Sequence, residues 1–139
     1  MVNMTIQANM RQPDNYGSGY FGASRGSRTH HGIDFACWAG STVCSTVKGE
    51  VTNLGYTYKD DLSFRYVQVT DDNTGHMHRF FYVQPGVEKG DKVEIGQALG
   101  TVQDLLVRYP NGMTNHFHYE IMYLENNKRK YLDPESFLG

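Results

Sequence analysis

The stretch that decides the fold is Phe64-Arg65-Tyr66-Val67-Gln68-Val69-Thr70, then Asp71-Asp72-Asn73-Thr74-Gly75, then Met77-His78-Arg79-Phe80-Phe81-Tyr82-Val83. β-Branched and aromatic residues dominate both flanks, and such side chains suit a pleated surface. The middle concentrates Asp, Asn and Gly, the residues that turn a chain. Residues 64–70 and 77–83 are therefore predicted to pair as an antiparallel hairpin. Working outward, the same alternation of strand-forming runs and glycine-bearing turns predicts strands over 33–37, 42–46, 49–54, 98–103 and 116–123. Nothing shows a sustained 3.6-residue apolar period. The class is all-β: a compact, mostly antiparallel sheet domain with a loop-walled groove and few or no helices. One short helical turn is expected at Pro134-Glu135-Ser136-Phe137-Leu138, where proline opens the turn. Residues 104–115 contain Pro110 and two Gly/Asn-rich turns and are expected to form a long loop, and loops of that length often make binding walls.

The 139 residues suffice for one domain with a hydrophobic core. Residues 1–15 are polar, contain Pro13 and are expected to be an arm ahead of a domain over 16–139. The net charge of −2, from 13 basic and 15 acidic residues, argues against general attraction to nucleic acid. No apolar run approaches the ~20 residues of a membrane span. Residues 1–10 lack the basic start and apolar run of a signal peptide. The expectation is a chain made in the cytosol, excised from a larger protein or released by another route, acting as a monomer. Cys37 and Cys44 read either as buried thiols or as a hairpin-stapling disulfide. Lys128-Arg129-Lys130 reads as a solvated loop face, with docking to an anionic polymer as the alternative.

Two short motifs carry the chemistry: His30-His31-Gly32-Ile33-Asp34 and His116-Phe117-His118-Tyr119-Glu120. Imidazole nitrogen and carboxylate oxygen are the ligand types of a catalytic zinc site without cysteine. His116 and His118 share a strand face, with Cβ atoms roughly 6.6 Å apart, so both could touch one ion. His30 and Asp34 would stand about 13 Å apart on a straight strand, too far for one zinc, so the chain must bend between them. Gly32 suits that bend. Four protein ligands would close the site; three leave a position for water, and spacing alone does not say which histidine stays out.

At these residues the chain resembles the M23 family of zinc endopeptidases, the lysostaphin and LytM-like enzymes that cut peptidoglycan peptides. His30, Gly32 and Asp34 fit the family's His-x-Gly-x-Asp, preceded by Phe21-Gly22 and Arg25. His116-Phe117-His118-Tyr119-Glu120 fits its His-Leu-His-Phe-Glu, and the segment Val87 to Gln97 fits its Val-x-x-Gly-Asp-x-Val-x-x-Gly-Gln. Gly40-Ser41-Thr42-Val43, Gly49-Glu50-Val51 and Asp133-Pro134 fit in order, so the resemblance covers about residues 20–139. It implies that His30, Asp34 and His118 bind one zinc ion, with His116 just beyond the metal as the proton acceptor. Glu120 is either an orienter of the site or a surface strand carboxylate. The implied substrate is a peptidoglycan stem or cross-bridge peptide, reached by a phage lysis or tail-tip enzyme or by a domain of a secreted hydrolase. A non-catalytic wall-binding or scaffolding module of the same fold is the alternative.

The chain departs from the family at Phe80-Phe81-Tyr82-Val83, where Tyr-x-His-Leu is usual. Tyr82 stands where a second catalytic histidine is expected. Its hydroxyl can donate to an oxyanion, or the residue is a packed strand tyrosine. By strand parity His76 and His78 share its face, and His31 should point away from the metal if the chain is extended there.

Overall fold

The computed structural model describes residues 31–110 and 112–134, together with the backbone of 9–10, 24–25 and 28–29. In chain order the strands are β1 (Asn9–Met10), β2 (Ser24–Arg25), β3 (Arg28–Thr29), β4 (Ile33–Ala36), β5 (Thr42–Cys44), β6 (Gly49–Tyr56) and β7 (Arg65–Asp71). They continue with β8 (Met77–Phe81), β9 (Val83–Pro85), β10 (Lys92–Val93), β11 (Ala98–Val102), β12 (His116–Glu125) and β13 (Lys128–Leu132). The main sheet runs β1-β4-β12-β8-β7-β6-β10, with β13 beside the second half of β12. A smaller sheet has the order β5-β11-β9, and β2 pairs with β3. The strand pairings among the described residues are antiparallel, so the all-β, antiparallel expectation holds.

Alternation along the strands sorts side chains onto two faces. In β12, Phe117, Tyr119 and Ile121 are fully buried, while His116, His118 and Glu120 lie on the other face. In β8, His78 and Phe80 face the core; in β7, Val67 and Val69 do. These side chains pack with Ile33, Phe35 and Val51 of the main sheet and with Val43, Val83, Leu99 and Val102 of the smaller one. Each such Val, Leu, Ile or Phe contributes about 1.5–3 kcal/mol by leaving water. The core therefore lies between the two sheets, and the outer face of the main sheet carries the polar motif residues.

The predicted hairpin is present as β7 and β8, with Gly75 at φ 74° closing its turn. The long loop contains one unpredicted turn of 3-10 helix, Leu105–Val107, capped by the Asp104 carboxylate accepting from the Leu106 N–H. Lys128-Arg129-Lys130 is not loop but strand. It returns along β12 through Asn126-Asn127, both at positive φ (53° and 64°), the geometry of a two-residue hairpin turn. Both cysteines are free thiols, Cys37 buried and Cys44 half-buried, and burial raises the Cys37 pKa to about 11. Of the expected arm, only Asn9–Met10 is described, pairing with β4 opposite Ala36 and Phe35. Of the expected C-terminal turn only Pro134 is; residues 135–139 lie outside the described residues.

Candidate active site

β12 lies between β4 and β8, and this adjacency assembles the site. The register sets His118 opposite Asp34 on one side and opposite Phe81 on the other. His118 Nδ1 is 2.9 Å from Asp34 Oδ1, and its Nε2 is 3.0 Å from Glu120 Oε1. A carboxylate only accepts, so the protonated ring donates Nδ1–H to Asp34 and Nε2–H to Glu120. Burial by itself would lower the His118 pKa. The hydrogen bonds and charges of Asp34 and Glu120 outweigh it and raise the pKa to about 9. Phe81 meets the imidazole edge-on, with ring centroids 5.3 Å apart.

His116 is buried one position pair away. Its Nδ1–H donates to the Thr114 carbonyl oxygen at 2.7 Å, which makes Nε2 the basic nitrogen of the neutral ring. That nitrogen lies 3.5 Å from Asp34 Oδ2. The two histidines of β12 thus address the two oxygens of one carboxylate.

Gly32 explains why the first motif carries glycine. A Cβ there would collide with the Tyr119 carbonyl oxygen and stand 2.9 Å from His118 ring atoms. Its φ is not left-handed, so space beside His118, rather than an unusual backbone angle, is the constraint. His31 is exposed and packs on Tyr131, with centroids 4.0 Å apart. His30 lies outside the described residues. Among the described residues, no three His, Cys, Asp or Glu side chains stand together in a metal-holding group. Asp34 and His118 are the described side chains brought together from the expected ligand set.

Tyr82 overturns the parity argument made for it. It interrupts β8 and β9 with φ 65°, a left-handed conformation that costs a bulky residue about 1–3 kcal/mol. Its N–H donates to the Arg65 carbonyl and its carbonyl accepts from the Gln103 N–H, both at 2.8 Å. The twist turns its ring edge-on to His116, with centroids 5.4 Å apart. His78 instead points into the core, where Nδ1 bonds the Tyr119 hydroxyl at 2.7 Å; His76 stacks on Tyr123.

Three residues complete this wall. The Tyr58 hydroxyl bonds that of Tyr82 at 2.8 Å and that of Tyr109 at 2.6 Å. Arg108 lies 3.8 Å over the Tyr58 ring and is held by Asp60 and Asp61. Burial first, then the neighbouring Tyr82 and Tyr109 hydroxyls, push the Tyr58 pKa far above its ordinary value, so it stays protonated. No local sequence pattern singles out Tyr58 and Tyr109; their hydroxyls meet only in the folded chain.

The profile of Peptidase family M23 matches residues 28–134. Leukocyte cell-derived chemotaxin-2 of Bos taurus is 32% identical over 111 residues, 80% of this chain and 72% of the relative. Lysostaphin in solution superposes with a TM-score of 0.69 at 20% identity, over 98% of this chain and 53% of its own. The chain thus spans about half of lysostaphin's length. A catalytic-domain variant of the prophage-encoded M23 protein EnpA from Enterococcus faecalis gives a TM-score of 0.65 at 20% identity, over 94% of this chain and 96% of that one. At these identities the likeness is one of fold.

Proposed function

The chain belongs to Peptidase family M23, and from that premise we propose that it is a zinc-dependent endopeptidase cutting stem or cross-bridge peptides of bacterial peptidoglycan. One observation carries the reading: Asp34 presents one carboxylate oxygen to His118 Nδ1 and the other to His116 Nε2. Asp34 and His118 would hold one zinc together with His30. The donor set fits the metal, because a metal-binding histidine commonly gives its other N–H to a carboxylate, as His118 does to Glu120. When bound, zinc supplies a Lewis acid for the scissile carbonyl and lowers the pKa of water in its coordination sphere.

The protein's own groups would do the rest. His116, its tautomer set by the Thr114 carbonyl, accepts the proton of the attacking water at Nε2 and passes it to the leaving amine. Tyr82 donates from its hydroxyl to the developing oxyanion, and the Tyr58 hydroxyl holds that group in place. The domain, residues 16–139, would act on the bacterial wall after phage-type release or as part of a secreted protein.

A second reading, a non-catalytic wall-binding or scaffolding module, is favoured by two observations: Tyr82 occupies the position of the expected histidine, and a curated relative 32% identical bears a chemotaxin name. Purified wall fragments separate the two. The enzyme reading expects new amine termini with zinc-loaded protein, none after chelation, and one zinc per chain by elemental analysis. Zinc binding without cleavage of walls from several species would favour the module.

A further inference from the structure

Beyond the site, the outer face of the main sheet carries a line of polar side chains that the reaction does not use. The register sets Gln68 of β7, Arg79 of β8 and Glu120 of β12 opposite one another in a single row across three strands. Arg79 Nε–H donates to Gln68 Oε1 at 2.8 Å, and Arg79 Nη1 is 3.7 Å from Glu120 Oε2. Guanidinium only donates, so its contact fixes which end of the Gln68 amide faces it. The other end, Nε2–H, donates to Thr52 Oγ1 at 2.9 Å, and Thr52 in turn bonds Thr70 at 2.8 Å. Thr52 is the extra residue at the register shift between Val51 and Asn53, so the irregularity in β6 delivers the hydroxyl that anchors the row.

The row ends on a metal-site histidine. Glu120 offers one oxygen to Arg79 and the other to His118 Nε2. Arg79 and Glu120 side chains are only 12% and 9% exposed, so water competes little for either contact. Neighbouring Tyr66 lies under the Arg79 guanidinium, at 5.6 Å to the ring centroid, and packs on Phe81, which abuts His118. The guanidinium is therefore pinned by an amide and a ring before it reaches the carboxylate.

We infer that Arg79, braced by Gln68, is a positioning residue for metal binding: it fixes the Glu120 carboxylate so that His118 turns Nδ1 toward Asp34. The inference rests on the reading of Asp34 and His118 as zinc ligands. Arg79 touches neither metal nor substrate and acts only through Glu120.

The test is zinc affinity of the whole chain by competition with a chromophoric chelator, alongside thermal unfolding of the metal-free protein. Arg79→Met should weaken zinc binding ~10–100-fold, the usual effect of losing a partner that orients a metal-binding histidine. Arg79→Lys keeps the charge but lacks the fork that spans Gln68 and Glu120; its affinity should fall between wild type and Arg79→Met. In a Glu120→Ala background, Arg79→Met should cost nothing further, because its route to His118 is already cut. Wild-type affinity in whichever Arg79 variants fold overturns the inference. So does the same fold-loss for Arg79→Met with and without Glu120, which marks a diffuse packing effect. Absence of zinc binding by the wild-type protein removes the zinc reading itself, and the inference with it; binding by wild type with either of the preceding results removes the inference alone.

Discussion

Asp34 Oδ1 and His118 Nδ1 stand 2.9 Å apart across the register pair that joins β4 to β12. Two residues 84 positions apart in sequence meet because both occupy outward-facing positions of neighbouring strands. Their inward-facing neighbours, Ile33, Phe35, Phe117 and Tyr119, pack in the core. The geometry of the polar pair is thus fixed by an apolar layer beneath it. Substitutions on either layer have distinct expected consequences.

His116→Ala should retain zinc and lower turnover by about 10²–10⁴-fold, the usual contribution of a general acid–base group. Zinc content and kcat on a soluble wall peptide check it together. Near-normal kcat in a zinc-replete variant removes His116 from proton transfer.

Tyr82→Phe should reduce kcat with little change in KM, since an oxyanion contact strengthens mainly in the transition state. Losing one such donor typically costs about 2.7–4 kcal/mol. Tyr58→Phe should give a smaller loss in the same parameter, because it unties the Tyr82 hydroxyl without removing it. Tyr82→His should remain active. Wild-type kcat in Tyr82→Phe would leave Tyr82 as a packing residue.

Gly32→Ala should destabilise the fold by about 1–3 kcal/mol, the typical cost of forcing extra volume into a packed site. It should also weaken zinc binding, because the added methyl meets both the Tyr119 carbonyl and the His118 ring. Urea unfolding and chelator competition on this variant read the two effects separately. A variant matching wild type in both would mean that the first motif has slack beside His118.

The metal-free protein should be most stable near pH 6.5, as far as two histidines decide it. Burial, opposed in part by Asp71 and reinforced by His76, lowers the His78 pKa from 6.5 to about 4. The folded state resists protonation there, so this stability is full above pH 6.5 and lost as pH falls through 4. At about 1.36 kcal/mol per unit the loss is on the order of 3 kcal/mol. His118 has the opposite sign. Its pKa is raised to about 9, so its contribution is full below pH 6.5 and lost as pH rises through 9. Urea titrations in chelator at pH 4, 6.5 and 9 should trace this dome. His78→Gln should flatten the acid limb and His118→Gln the alkaline one.

Much of the site was legible in sequence because strand parity is local. The spacing of His116 and His118 is enough to put them on one face, and β12 pairs without a register shift with β4 and β8 from His116 to Met122. Parity failed at Tyr82, where a positive φ between β8 and β9 re-aims one side chain. That reversal depends on tertiary hydrogen bonds to Arg65 and Gln103. Tyr58 and Tyr109 join Tyr82 only after folding, from loops 24 and 51 positions apart in their hydrogen-bonded pairs. The Gln68–Arg79–Glu120 row needs the register of three strands, which no local pattern supplies. β13 was hidden by charge: Lys128, Arg129 and Lys130 are all exposed, so no apolar alternation marks the strand. Asn126-Asn127 was the available signal, since asparagine tolerates the positive φ of a hairpin turn.

The most direct measurement of the central claim is mass spectrometry of purified wall peptides incubated with zinc-loaded protein in heavy-oxygen water. Endopeptidase action predicts paired products, a new amine terminus and a new carboxyl terminus carrying one heavy oxygen, with both lost in Asp34→Ala. Intact peptides after prolonged incubation with protein shown to hold one zinc per chain would contradict it.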